Sequence, residues 1–219
     1  APIQVNHFAF ASGASCYDYI VADPVCLPAD HQGHVSEKAA RLPHTLFATD
    51  RNRPIAAQTP SRAEAGLPES GFVFCSFNNS YKITPPDFDI WMRLLQKVPG
   101  SVLWLRATNA AMPDNLRREA TARGIDPVRL VFAGVAPRME DHLARHRLAD
   151  LFLDTLTFNA QTTASDALWA GLPLLTCPGQ TMVSRVAASL LSAMDMPELI
   201  APSREAYEER ALQIGRAHV

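Results

Sequence analysis

The chain has 219 residues, 47% of them hydrophobic and 19% charged, with a formal net charge of −2 at pH 7. This is the composition of a folded globular protein with enough chain to bury a sizeable core, as one large domain or two small ones. The charge balance gives no general reason to expect nucleic-acid or membrane-surface binding, and no apolar run approaches the roughly 18 residues of a membrane span. The four cysteines, Cys16, Cys26, Cys75 and Cys177, show no zinc-type spacing. They read as buried free thiols of a reducing compartment, so the expected location is the cytoplasm.

Ala1 opens directly into a strand-like run, without an initiator Met or a signal peptide, and the chain is expected to be an internal fragment. The first sixty residues offer two strands, IQVNHFAF and DYIVAD, and a polar helix around Val35 to Ala40. Thr59 to Gly71 reads as a linker with one short helical turn. From Phe72 the pattern alternates with regularity. FVFCSF is followed by PPDFDIWMRLLQKV, which begins on Pro and places Phe88, Trp91, Leu94, Leu95 and Val98 on one helical face. SVLWLRA, RLVFAGVA, LFLDT, LPLLTC and ELIA are further strands. MPDNLRREATARG, MEDHLARHRLA, TTASDALWAG and MVSRVAASLLSAM are the helices between them. Five or six strands joined by helices, without hairpin signals, predict a parallel sheet covered on both faces: an α/β, Rossmann-like lobe that binds ligands beyond the carboxyl ends of its strands. The expected division is 1–60 as part of an amino-terminal lobe, 61–71 as linker and 72–213 as the carboxyl lobe. Ile214 to Val219, IGRAHV, is what one reading frame of a common sequencing adapter encodes and is expected to be read-through.

The strand ends carry the polar chemistry. The first strand runs into Asn78-Asn79-Ser80-Tyr81-Lys82, and the third into Ala136-Pro137-Arg138 with His142 beyond. The fourth is followed by Thr155 to Thr163, leading into a helix. Thr163-Ala-Ser-Asp166 has capping-box character, and a helix start with hydroxyls suits a diphosphate, although on spacing alone a well-capped helix and nothing more is the favoured reading. Lys82 would be a solvated loop lysine by itself; opposite such a helix end it would neutralise a phosphate. His142 and His146 stand four apart, but no third metal ligand is suggested. Asp87-Phe-Asp89 falls in a first helical turn and reads as structural.

FCSFNNSYKITP, SVLWL, NLRREATARGIDPVRLVF, HLARHRLADLFLDT, TTASDALWAGLPLLT and SRVAAS together resemble the catalytic region of the O-linked N-acetylglucosamine (O-GlcNAc) transferase family, across nearly all of Ala1 to Gln213. The likeness is to the bacterial members, which carry tetratricopeptide repeats ahead of two lobes. It implies a two-lobe, glycosyltransferase B-type fold, with the carboxyl lobe nearly complete and the amino lobe partial. It also implies transfer of N-acetylglucosamine from UDP-N-acetylglucosamine to Ser or Thr of proteins, with inversion and with no metal or other cofactor. In that reading Lys82 is catalytic: it binds the β-phosphate and stabilises departing UDP, and Asn79 contacts the pyrophosphate. Ala136 and Arg138 read the uracil edge, and His142 packs on the base. Thr162 and Thr163 cap the diphosphate, and Asp166 holds the ribose. The resemblance also shows departures. Gln161 stands where most relatives have histidine, Gln180 replaces a usual glutamate, and Phe8 to Ser15 is shorter than the usual loop near the sugar. The fragment alone is expected to be inactive. A related transferase using GDP-fucose, an epimerase of similar fold and a non-catalytic nucleotide-sugar-binding module are the other readings.

Overall fold

A computed structural model of the chain describes residues 2–7 and 11–217. The first part of the loop Phe8 to Ser15, and the last two residues of the suspected read-through, therefore lie outside the described residues. Strands β1 (Val5–Asn6), β2 (Tyr19–Ala22) and β3 (Lys38–Arg41) form a small parallel sheet in that order. Tyr19 of β2 is in register with Val5 on one side and Lys38 on the other. Here the expected helix around Val35 to Ala40 is wrong. The segment enters β3, whose residues face solvent or are half-covered and are held by backbone pairing to β2. Its polar sequence carries no alternation to reveal a strand.

The larger sheet follows the sequence pattern closely. It is built from β4 (Val73–Ser76), β5 (Val102–Arg106), β6 (Leu130–Ala133), β7 (Leu151–Leu153) and β8 (Leu174–Leu175), all parallel, in the order β6-β5-β4-β7-β8. Helices α1 (Pro85–Lys97), α2 (Met112–Ala122), α3 (Met139–Arg145) and α4 (Thr162–Trp169) make the crossovers, and α5 (Val186–Ala193) follows β8. The expected strand ELIA is reduced to a single parallel bridge between Thr176 and Ile200. The order reverses between β4 and β7, so the loops after these two strands diverge and leave a crevice there. The core of this lobe draws on residues from Leu67 to Ala211, with Phe74, Trp91, Trp104, Phe152 and Tyr207 fully enclosed. Tyr207 belongs to α6 (Arg204–Arg216), a helix the strand–helix pattern does not announce, started by the Ser203 side chain accepting from Ala206 N–H at 3.1 Å. The helix runs through Ile214 and Gly215. A Cβ at Gly215 would stand 3.1 Å from both Phe74 and Val98 side-chain carbons, so the backbone packs directly on the sheet there.

The two sheets are tied through polar contacts and one shared apolar cluster. Ile20, Ala22, Cys26, Leu27 and Leu46 of the amino side pack with Met182 and Val186 of the carboxyl side. The stretch before the linker lies on α3 and α4: Ala56 N–H donates to Glu140 O at 3.1 Å, and Trp169 Nε1 donates to Arg53 O at 3.1 Å.

Candidate nucleotide-diphosphate cleft

The strand ends at the switch point open into one cavity of about 570 Å³. All nine residues singled out in the sequence line it: Asn79, Lys82, Ala136, Arg138, His142, Gln161, Thr162, Thr163 and Asp166. They come from the three loops after β4, β6 and β7, brought together because parallel strands point their carboxyl ends the same way.

Lys82 sits in a short 3₁₀ turn after β4 and is buried. Its Nζ donates to the carbonyl of Asn159 at 2.8 Å and lies 4.1 Å from the centre of the Phe158 ring, a cation–π seat. Burial pushes the ammonium pKa below the usual lysine value, and the charge of Asp154 opposes that shift. Asn79 is exposed at the start of the same turn.

The helix start differs from the expected capping box. Gln161 is the residue before the first turn of α4 and makes no side-chain cap. The Thr163 hydroxyl donates to Asn78 Oδ1 at 2.6 Å, and Asp166 turns away from the helix start. The first N–H groups of α4 thus face the cleft without a side-chain acceptor, which is the condition for an anion to occupy that place. Gln161 Nε2 is buried beside them with no partner.

At the other end, Asp166 pairs with Arg53, whose Nη2 also donates to Ser165 Oγ at 3.2 Å. Burial acts to raise the Asp166 pKa, but hydrogen bonds from His142 and Arg53 more than offset it and hold the carboxyl below its usual range. His142 Nε2 is 3.6 Å from Asp166 Oδ2, and its Nδ1 accepts from Arg145 Nη2 at 2.6 Å. Arg145 therefore fixes the imidazole with its proton on Nε2, facing the carboxylate. Arg138 is mostly exposed at the mouth, paired with Glu140 and Asp141.

His146, four residues beyond His142, is wholly buried, and its Nδ1–H donates to His142 O at 2.8 Å. Burial first, and neighbouring His142 second, push its pKa down to about 4, so it is a neutral packing residue. Among the described residues no three metal-ligating side chains cluster. Asp87 and Asp89 are engaged structurally, Asp87 by Arg204 at 2.9 Å and Asp89 by Arg123 at 2.6 Å. No helix among the described residues is long and apolar enough to cross a membrane.

Three residues of the site escaped sequence reasoning. Asn78, not its neighbour, staples the crevice: its Nδ2 donates to Thr155 Oγ1 at 3.0 Å while its Oδ1 takes Thr163. Arg145 lines the cleft as a buried guanidinium whose Nε has no partner. Asp154, under the loop that seats Lys82, is the third. A buried Asp after an apolar run gives no local signal, but the amphipathic spacing of His142 and Arg145, one turn apart, could have paired them.

Comparison with known proteins identifies the family and the fold. The family model described as Glycosyl transferase family 41 matches residues 50–218. An Arabidopsis thaliana protein named a probable UDP-N-acetylglucosamine–peptide N-acetylglucosaminyltransferase is 39% identical over 222 residues, covering 98% of this chain and 23% of the relative. A protein of the same activity name from Caenorhabditis elegans is 41% identical over 172 residues, covering 78% of this chain and 15% of the relative. This chain therefore spans less than a quarter of the length of those curated relatives. A solved O-GlcNAc transferase of Thermobaculum terrenum superposes with a TM-score of 0.86 at 30% identity, over 99% of this chain and 41% of that one. The fold is the glycosyltransferase B type, and the chain belongs to glycosyl transferase family 41.

Proposed function

We propose that the chain is the carboxyl-side part of the catalytic region of an inverting, metal-independent protein O-GlcNAc transferase, and that its cleft holds the UDP half of UDP-N-acetylglucosamine. The observation that carries this is the convergence of a buried lysine and an uncapped helix start on one cavity at the switch point. The names of the relatives supply the sugar and the acceptor class. Residues 72–213 form the donor lobe, 1–60 contribute part of the facing lobe, and 61–71 join them.

The diphosphate sits between Lys82 and the first turn of α4, where Thr162, Thr163 and Gln161 surround it and Asn79 reaches it from the opposite loop. The base lies toward His142, with Ala136 and Arg138 at its edge and Arg145 offering a further donor. Asp166, already oriented by Arg53 and His142, takes the ribose hydroxyls. When a serine or threonine hydroxyl attacks the anomeric carbon, the bond to the β-phosphate oxygen breaks and negative charge grows on UDP. A preorganised ammonium and helix N–H groups stabilise that charge without reorganising, and removal of one such donor costs roughly two to three powers of ten in rate. In this reading the chemistry asks for no metal and no other cofactor. The protein acceptor is presented by parts of the whole protein beyond this chain, and the enzyme works in the cytoplasm.

The test is a calorimetric titration of the chain with UDP, with CMP and GDP as controls. Saturable binding selective for UDP, weakened about ten- to a hundredfold in Lys82→Ala, is the expected result. A folded chain that binds GDP better, or binds none of the three, overturns the assignment.

A further inference from the structure

Asp154 closes β7, is fully buried and forms no part of the cleft wall. Its Oδ1 accepts from the N–H of Thr155 at 2.8 Å and of Ala160 at 2.6 Å, so one oxygen pins both ends of the loop between them. Its Oδ2 accepts from the Thr176 hydroxyl at 2.6 Å, just beyond β8. The loop knotted in this way carries both groups that seat Lys82, the Asn159 carbonyl and the Phe158 ring. The Asn159 amide donates to Thr155 O at 2.9 Å, so the aim of that carbonyl depends on the same knot.

A loop knot alone does not need a carboxylate. An asparagine oxygen would accept both N–H groups, without the desolvation cost of burying an ion. What an asparagine lacks is charge, and the cation seated on this same loop, through the Asn159 carbonyl at 2.8 Å, is Lys82.

We propose that Asp154 is a positioning residue for Lys82: it shapes the Thr155–Ala160 loop that offers the Asn159 carbonyl to the ammonium, and it supplies a buried carboxylate beneath that loop whose charge supports the ammonium. The proposal rests on the reading of Lys82 as the cation that faces the diphosphate. Lys82 must stay protonated while shielded from water, and Asp154 opposes the lowering that burial imposes on it. Asp154 itself is pushed up to about 7 by burial, against hydrogen bonds from Thr176, Ala160 and Thr155 and the charge of Lys82. Among the described residues, the other titratable groups near this pair are neutral, paired elsewhere or exposed. Tyr207 of α6 donates to the Asp154 carbonyl at 3.2 Å, and burial holds its phenol well above the usual range, hence neutral. Asp87 of α1 takes Leu156 N–H at 3.3 Å and is paired with Arg204. Tyr81 shares the turn with Lys82 but is exposed.

The experiment is a nuclear magnetic resonance titration of the chain labelled at lysine ¹³Cε. Only Lys38, Lys82 and Lys97 give signals, and Lys82→Met identifies the one of interest. In Asp154→Asn the Lys82 midpoint is expected to fall by about one pH unit, and UDP affinity to weaken at a correspondingly lower pH as the solution is made alkaline. In the unmodified chain the Lys82 signal is expected to show a second inflection near pH 7, where Asp154 ionises, that disappears in Asp154→Asn. An unchanged Lys82 midpoint in a folded Asp154→Asn chain reduces Asp154 to a loop knot and overturns the proposal. Should that variant not fold, a single-step Lys82 titration in the unmodified chain overturns it equally. Full UDP affinity in Lys82→Met, by contrast, sinks the diphosphate reading while leaving the coupling of the two groups intact.

Discussion

In the carboxyl-side sheet every residue of Val73–Ser76 and Leu151–Leu153 is buried, whereas in the amino-side sheet Val5 and Tyr19 stand open to solvent and β3 buries none of its four residues. The first sheet is held by apolar area spread over dozens of side chains. The second has a small apolar cluster and leans on two buried carboxylates. Asp23 accepts from Val25 N–H at 2.8 Å, Cys26 N–H at 2.7 Å, Leu46 N–H at 2.9 Å and the Ser189 hydroxyl at 2.8 Å. Glu37 accepts from Asn6, Ser12 and Ser36. Spread-out burial is tolerant of any one polar change, while a node that serves four donors is not.

Asp23→Ala is the largest way to break this contrast. Leaving buried N–H groups without an acceptor costs about 1–3 kcal/mol each before relaxation, so a loss of roughly 3 kcal/mol or more is expected. Hydrogen exchange locates it: protection falls in β1 to β3 and survives in β4 to β8. Equal loss in both sheets would show that they unfold as one unit. Lys82→Ala comes next and has the opposite signature. A charge-assisted hydrogen bond is worth about 1.5–3 kcal/mol, so UDP affinity falls about ten- to a hundredfold while exchange in both sheets stays as it was.

Acid separates the two regions by sign. Burial acts to raise the Glu37 pKa, but its backbone and side-chain hydrogen bonds prevail and lower it to about 2. Its contribution is present above the unfolded carboxylate value and is lost as pH falls through about 2. Asp154 behaves in reverse. With a folded pKa of about 7, its contribution is full below the unfolded value near 4 and is lost as pH rises to 7, on the order of 4 kcal/mol. His146, held down to about 4 by burial, opposes Asp154 over part of that window, because its contribution is lost as pH falls from about 6.5 to about 4. Denaturant melts between pH 4 and 8 are therefore expected to show a smaller net slope in the native chain than in Asp154→Asn, which keeps only the His146 half. An unaltered slope in Asp154→Asn would mean that Asp154 is ionised throughout.

The same contrast explains what was legible. Strands buried on both faces, such as FVFCSF and SVLWLRA, read as unbroken apolar runs, and the loops that follow them can be placed on one rim from topology alone. That is why the three loops could be brought to one rim from the sequence, while the choice of nine residues within them rested on the family resemblance. Lys38 to Arg41 has no such signature, because backbone pairing to β2 and not side-chain burial makes it a strand. α6 was readable in principle from the Ser203 cap and the spacing of Tyr207 and Ala211, but no strand follows it to complete the alternation. The partners of Asp154 and Arg145 are set by contacts across different elements, which local spacing does not record.

Thr163→Val is the smallest change that bears on both regions of the argument, the packed lobe and the site it carries. It removes the hydroxyl that donates to Asn78 Oδ1 at 2.6 Å and leaves the Asn78 bond to Thr155 in place, with a side chain of nearly the same shape. The lost neutral hydrogen bond is worth about 1 kcal/mol, so stability falls by that order and UDP affinity by about fivefold if the bond fixes the angle of the helix start toward the diphosphate. The two readouts discriminate. A stability loss with unaltered affinity makes the Asn78 staple part of the lobe's packing alone. Loss of both places it in the mechanism, because the N–H groups of α4 then owe their aim to a bond made at the end of β4.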